Sequence, residues 1–88
     1  MKDVYYRVIK ERRDYKGDRY FKFNPMSDKV VQVCVNHGED KRGRTNSFGI
    51  CLIHRMTLLA NYLSIGYVES CTKAEYDKNF NKVLKMLK

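Results

Sequence analysis

Tryptophan is absent from this 88-residue chain, proline occurs once, at Pro25, and acidic side chains are scarce: ten Asp and Glu stand against eighteen Lys and Arg, a formal charge of +8. Scattered carboxylates supply no evident acid/base pair for catalysis, and the sign of the charge excludes mimicry of nucleic acid by an acidic surface. With five glycines and no repeat, linker or low-complexity tract, the chain reads as one domain over residues 1–88. Three cysteines are an odd number and cannot form a fully paired disulfide framework without a partner chain, so they read as reduced thiols. Lys2, Asp3 and Arg7 interrupt the stretch where a signal peptide needs an apolar run, and no segment of membrane-spanning length is free of charge. The expectation is a cytoplasmic protein with no membrane partner. A domain this small needs most of its large apolar side chains for the core, leaving few to line a deep cavity, which favours a binding module over an enzyme and implies no cofactor.

What the sequence does contain is alternation. Val4 to Arg12 is rich in β-branched and aromatic residues, with Val4, Tyr6 and Val8 on one face, and predicts a strand. Asp14, Gly17 and Asp18 form a turn, after which Phe21 and Phe23 oppose Tyr20 and Lys22, predicting a hairpin over Arg19 to Asn24. Asn24-Pro25 punctuates, and Lys29 to Val35 predicts a third strand. His37 to Thr45 is polar throughout and reads as a loop. In Ser47 to Ile65 the polar residues Ser47, His54, Thr57, Asn61 and Ser64 recur at near-helical spacing, which favours one long helix; the competing reading makes Phe48 to Ile53 a strand and starts the helix near His54. Tyr67 to Cys71 is short and extended. Thr72-Lys73-Ala74-Glu75 is a capping box that opens a second helix. The expected fold is therefore α+β, of order β-β-β-α-(β)-α, an antiparallel sheet packed on two helices. Phe21, Phe23, Val31, Val33, Leu52, Met56, Leu59, Leu63, Phe80, Val83, Leu84 and Leu87 supply much of its expected core.

Two constellations bear on function. Cys34-x-x-His37 and Cys51-x-x-His54 repeat a spacing whose thiols and imidazoles suit tetrahedral zinc. Residues three apart on a strand point to opposite faces, however, so Cys51 and His54 converge only on a helix, and buried structural cysteines are the commoner explanation. No signature of a catalytic cysteine surrounds any of the three. The second constellation is basic. Arg7, Arg12, Arg13, Lys16 and Arg19 interleave with tyrosines along the hairpin, while Lys41, Arg42 and Arg44 are held with Gly38 and Gly43 just ahead of the expected helix N-terminus, whose dipole favours an anion. Arginine forks and backbone N–H groups suit phosphate, and tyrosine rings suit stacking on unpaired bases. Lys78, Lys82, Lys85 and Lys88 read as the solvated face of the last helix.

In size and in its Lys-, Asn- and Tyr-rich composition the whole chain resembles the small accessory proteins carried by phages and other mobile elements. That resemblance implies a protein that perturbs a host machine, such as a defence nuclease or a polymerase, or sequesters a nucleotide signal. The residues themselves favour nucleic acid as partner, with an acidic protein surface as the alternative; a homodimer is compatible with both.

Overall fold

The computed structural model describes residues 3–9, 18–35 and 48–88. Five strands, β1 (Val4–Val8), β2 (Asp18–Phe23), β3 (Lys29–Val35), β4 (Gly49–His54) and β5 (Val68–Ser70), form one antiparallel sheet in the order β4-β3-β2-β1-β5. The first four make a meander, and β5 returns to pair with β1, with Arg7 opposite Glu69 and Val8 opposite Val68. Between β4 and β5 runs a π-helical segment, Thr57–Leu63, and after β5 an α-helix, α1 (Lys73–Leu87). The α+β class and the antiparallel sheet with two helices match the expectation, with one strand more than expected.

Each helical segment covers one face of the sheet. Side chains of one parity, Val8, Phe21, Phe23, Val30 and Val68, are buried with Leu58 of the π-helical segment, and Tyr6, Ile53, Tyr62 and Tyr67 pack around them. The other parity presents Val33 and Val35, buried with Tyr76 and Val83 of α1 and flanked by Tyr5, Tyr20, Ile50 and Phe80. Strands covered on both faces need apolar residues at consecutive positions, which β3 supplies in Val30-Val31 and β4 in Ile50 to Ile53.

The turns are built locally. Asn24 accepts at Oδ1 from the Met26 N–H (2.9 Å) and its carbonyl accepts from the Ser27 N–H (2.9 Å), with Pro25 at the second position, where its fixed φ suits the turn. His54 ends β4 and accepts at Nδ1 from the Met56 N–H (3.1 Å), holding the strand-to-helix corner. Gly66, with φ of +70°, ends the turn into β5, a left-handed position that glycine takes without strain. Thr72 caps α1 by accepting from the Glu75 N–H (3.1 Å), as the capping box predicts, while the Glu75 carboxylate is engaged by Arg7.

Several expectations are corrected. The long helix over Ser47 to Ile65 does not form: Gly49–His54 is a strand and helical structure begins at Arg55, because β3 offers an open edge on which this apolar run extends the sheet. Of the expected core, Leu52, Met56, Leu84 and Leu87 are exposed, whereas Leu58, absent from that expectation, is fully buried. A helical frame that starts at Ser47 is out of phase with the one that forms, and Leu52 sits at the rim of an edge strand.

Candidate nucleic-acid interface

The registers bring the ends of four strands together. Arg7 lies opposite Tyr20, Asp18 opposite Val35 and Cys34 opposite Gly49, so β1 and β3 end, and β2 and β4 begin, at one end of the sheet. The two stretches of sequence that leave and re-enter the sheet there contain Lys10, Arg12, Arg13 and Lys16, and Lys41, Arg42 and Arg44. Six expected binding residues, Arg12, Arg13, Lys16, Lys41, Arg42 and Arg44, thus lie outside the described residues, as does His37.

Arg7 and Arg19 are described, and neither is a free surface cation. Arg7 projects to the α1 side, where Nε donates to Glu69 (3.0 Å) and Nη1 to Glu75 (2.7 Å). Those two carboxylates raise its pKa further, Glu75 most. The cluster joins β1, β5 and the first turn of α1. Burial and the Glu75 charge nearby push the Cys71 thiol up to about 11 and the Tyr20 hydroxyl up to about 12, so both are held protonated.

Arg19 corrects the expectation of a basic, exposed hairpin, because it is buried, with 4% of its surface exposed. It shares the parity of Phe21 and Phe23 and points under the π-helical segment. Nη1 donates to the Tyr62 hydroxyl (3.3 Å) and to Gln32 Oε1 (3.4 Å), Nη2 donates to the Tyr67 hydroxyl, and Nε is buried without a partner. Its guanidinium carbon sits 5.2 Å from the centroids of both tyrosine rings. Burial works against its charge, but the bonds to Tyr62 and Tyr67 more than offset this, and its pKa is raised. Tyr5 and Tyr20, read with the basic residues as one surface, are not exposed either, whereas Tyr6 lies on the inward face expected of it. None of the six described, Tyr5, Tyr6, Tyr20, Tyr62, Tyr67 and Tyr76, is exposed, since they pack the two cores and against one another, as Tyr5 does on Tyr76 with ring centroids 5.2 Å apart and the rings tilted by 47°.

The zinc candidates separate. Cys34 and Cys51 lie on the same side of the sheet, where Gln32 Nε2 donates to Cys51 Sγ (3.3 Å) and Cys34 Sγ (3.5 Å). His54 lies three residues along a strand from Cys51 and therefore on the opposite side. Among the described residues no group of three or more His, Cys, Asp or Glu side chains is arranged to hold a metal ion.

The remaining charges divide unequally. Asp3 pairs with Lys22 (3.9 Å), Asp28 with Arg55 (3.8 Å) and Asp77 with Lys73 (2.5 Å), which adds to the engagement of Glu69 and Glu75 by Arg7. Lys29, Lys78, Lys82, Lys85 and Lys88 are exposed and form no ion pair among the described residues. Sequence reasoning missed the carboxylate partners of Arg7, which are 62 and 68 residues away. It also missed the burial of Arg19, although the alternation that placed Phe21 and Phe23 inward places Arg19 there too. No helix among the described residues is long and apolar enough to cross a membrane. Comparison with protein-family models, with curated proteins and with solved structures found no match.

Proposed function

We propose that the protein is a non-enzymatic nucleic-acid binder that engages backbone phosphates electrostatically, using the basic residues of its two sheet-end connections. The observation that carries this reading is the convergence of four strand ends, β1 with β2 and β3 with β4, at one end of the sheet. The two intervening stretches hold seven Lys and Arg against four Asp and Glu in sequence, Glu11, Asp14, Glu39 and Asp40, and so carry a net positive charge. The pairing of five described carboxylates with cations supports it further, because the excess positive charge is then left to the unpaired lysines and to those stretches. Both faces of the sheet are covered and the described tyrosines are packed, so base stacking on an open sheet is not the mode; phosphate contact with little sequence preference is. Arg7 and Arg19 serve the fold, and Arg12, Arg13, Lys16, Lys41, Arg42 and Arg44 remain the proposed contacts.

The test is fluorescence anisotropy of labelled duplex DNA, single-stranded DNA and RNA at several salt concentrations. Replacing Arg42 and Arg44 together by alanine is expected to weaken binding to all sequences alike and to lower the slope of log K against log salt by about 2, one unit or slightly less per lost phosphate contact. An unchanged slope in the double variant removes these residues from the interface. Wild-type binding absent near physiological salt, with a protein partner retained after nuclease treatment, replaces this reading with that of a protein-binding adaptor.

A further inference from the structure

On the face of the sheet that the π-helical segment covers, the apolar core stops at Val30 and Ile53. The next residues of that parity are polar or carry sulfur: Gln32 and Cys34 on β3, Cys51 on β4. Gln32 stands opposite Cys51 and Cys34 opposite Gly49, so the two cysteines are diagonal neighbours. The buried Gln32 amide is engaged at both ends. Its oxygen accepts from the Arg19 guanidinium (3.4 Å), while its nitrogen donates to Cys51 Sγ (3.3 Å) and to Cys34 Sγ (3.5 Å). Cys51 is exposed and Cys34 half-buried, neither in a disulfide. Two thiols thus share one donor, and behind it stands a buried cation that forms no ion pair with a carboxylate among the described residues.

We propose that Cys34 and Cys51 together bind one soft monovalent metal ion of the Cu(I) class, held by the two sulfurs alone, with Gln32 and Arg19 as positioning residues behind them. Ligand type selects the ion, since thiolates prefer soft cations, and zinc asks for a tetrahedral set that His54, on the opposite side of the sheet, does not join. Charge selects its valence. Both thiols release their protons on binding, so two thiolates and one monovalent ion make a unit of single negative charge. That unit complements the Arg19 cation, to which the Gln32 amide links it, whereas a divalent ion would leave the unit neutral. The spacing favours an ion over a disulfide. A disulfide needs Cα atoms within about 7 Å and diagonal neighbours stand about 7–8 Å apart, while an ion between the sulfurs adds about 2 Å or more of span. Cys51, being exposed, gives the ion its way in. The inference does not depend on nucleic-acid binding.

Titration of the reduced protein with Cu(I), without oxygen and in competition with a chromogenic Cu(I) chelator, tests it. The wild type is expected to hold one ion per chain, with sulfur as its only neighbour in X-ray absorption. Cys34→Ser and Cys51→Ser should each abolish that retention, while Cys71→Ser, which changes a thiol packed against the other core, should leave it intact. Gln32→Leu removes the shared donor and is expected to weaken the affinity about tenfold to a hundredfold. Cys51→Ser alters an exposed position, so a urea midpoint like that of the wild type will show that its loss of the ion is not loss of the fold. A wild type that yields all its Cu(I) to the chelator overturns the proposal. So does an ion kept by either the Cys34 or the Cys51 variant, or one lost equally in Cys71→Ser. An affinity unchanged in Gln32→Leu removes Gln32 and Arg19 from the site.

Discussion

Replacing Arg19 by methionine is expected to cost less stability than replacing it by lysine, although lysine keeps the charge. Arg19 is a cation that forms no ion pair with a carboxylate among the described residues; three neutral oxygens, from Tyr62, Tyr67 and Gln32, accept its protons, and two tyrosine rings flank its guanidinium. Hydrogen bonds to a charged donor contribute about 1.5–3 kcal/mol each, while burying an ion costs several kcal/mol, so the two sides nearly cancel. Methionine keeps the apolar stem and removes the buried charge. Its main penalty is the orphaned Gln32 oxygen, about 1–3 kcal/mol, offset in part by the relief of desolvation, for a net loss of about 1 kcal/mol. Lysine retains a more strongly hydrated charge and loses the fork that reaches three acceptors at once, for a loss of about 2–4 kcal/mol. Alanine adds a cavity and should lose about 3–5 kcal/mol. At about 4–8 °C per kcal/mol for a domain of this size, methionine should lower Tm by less than about 10 °C and alanine by about 12 °C or more. Urea unfolding followed by circular dichroism and tyrosine emission measures the series, and the absence of tryptophan leaves that emission unobscured. If Arg19→Lys is as stable as the wild type and Arg19→Met unfolds, the buried charge itself holds the fold and the reasoning fails.

Two further outcomes follow from the packing. Leu58→Ala should lose about 2–5 kcal/mol, because the side chain is fully buried, whereas Met56→Ala, two residues earlier and half exposed, should lose well under 1 kcal/mol; equal urea midpoints for the two would show the helical frame to be wrong. Cys71 and Tyr20 have folded pKa values raised from their ordinary 9.0 and 10.0 to about 11 and about 12, so the unfolded chain ionises them first. The stability they contribute is complete below pH 9 and is lost as pH rises from about 9 to about 12, and Cys71→Ser should flatten the lower part of that decline; a urea midpoint at pH 10.5 equal to that at pH 8 would contradict it.

The strands with clear alternation are legible in the sequence alone. Lys29–Val35 has the bounds expected of it, and Asp18–Phe23 differs by one residue at each end, because hairpin chemistry and side-chain parity are local properties. β4 is legible only as the competing reading, a strand over Phe48 to Ile53, since a short apolar run buried on one or both faces carries no period that separates strand from helix, and the polar residues of the following helix extend a helical spacing back across it. What decides the matter is non-local: β3 leaves an edge that Gly49–His54 completes. The same holds for the site. The basic residues are plain in the sequence, but that Arg7 belongs to Glu69 and Glu75 is a fact of topology. Parity alone would have drawn Arg19 inside with Phe21 and Phe23.

The order in which the chain emerges during synthesis gives the doubly covered sheet a further meaning. Strands β1 to β4 pair neighbour to neighbour and can assemble as a meander once residue 54 is available, yet neither of its faces can be closed by then. One face waits for Leu58 and Val68, the other for Tyr76 and Val83. A four-stranded sheet assembled before the later residues would stand bare on both sides, with two open edges. Docking of α1, fastened by Glu69 and Glu75 on Arg7, ends that exposure on one side. Efficient production of this protein should depend more on how readily the segments after His54 dock than on the strength of the strands that precede them.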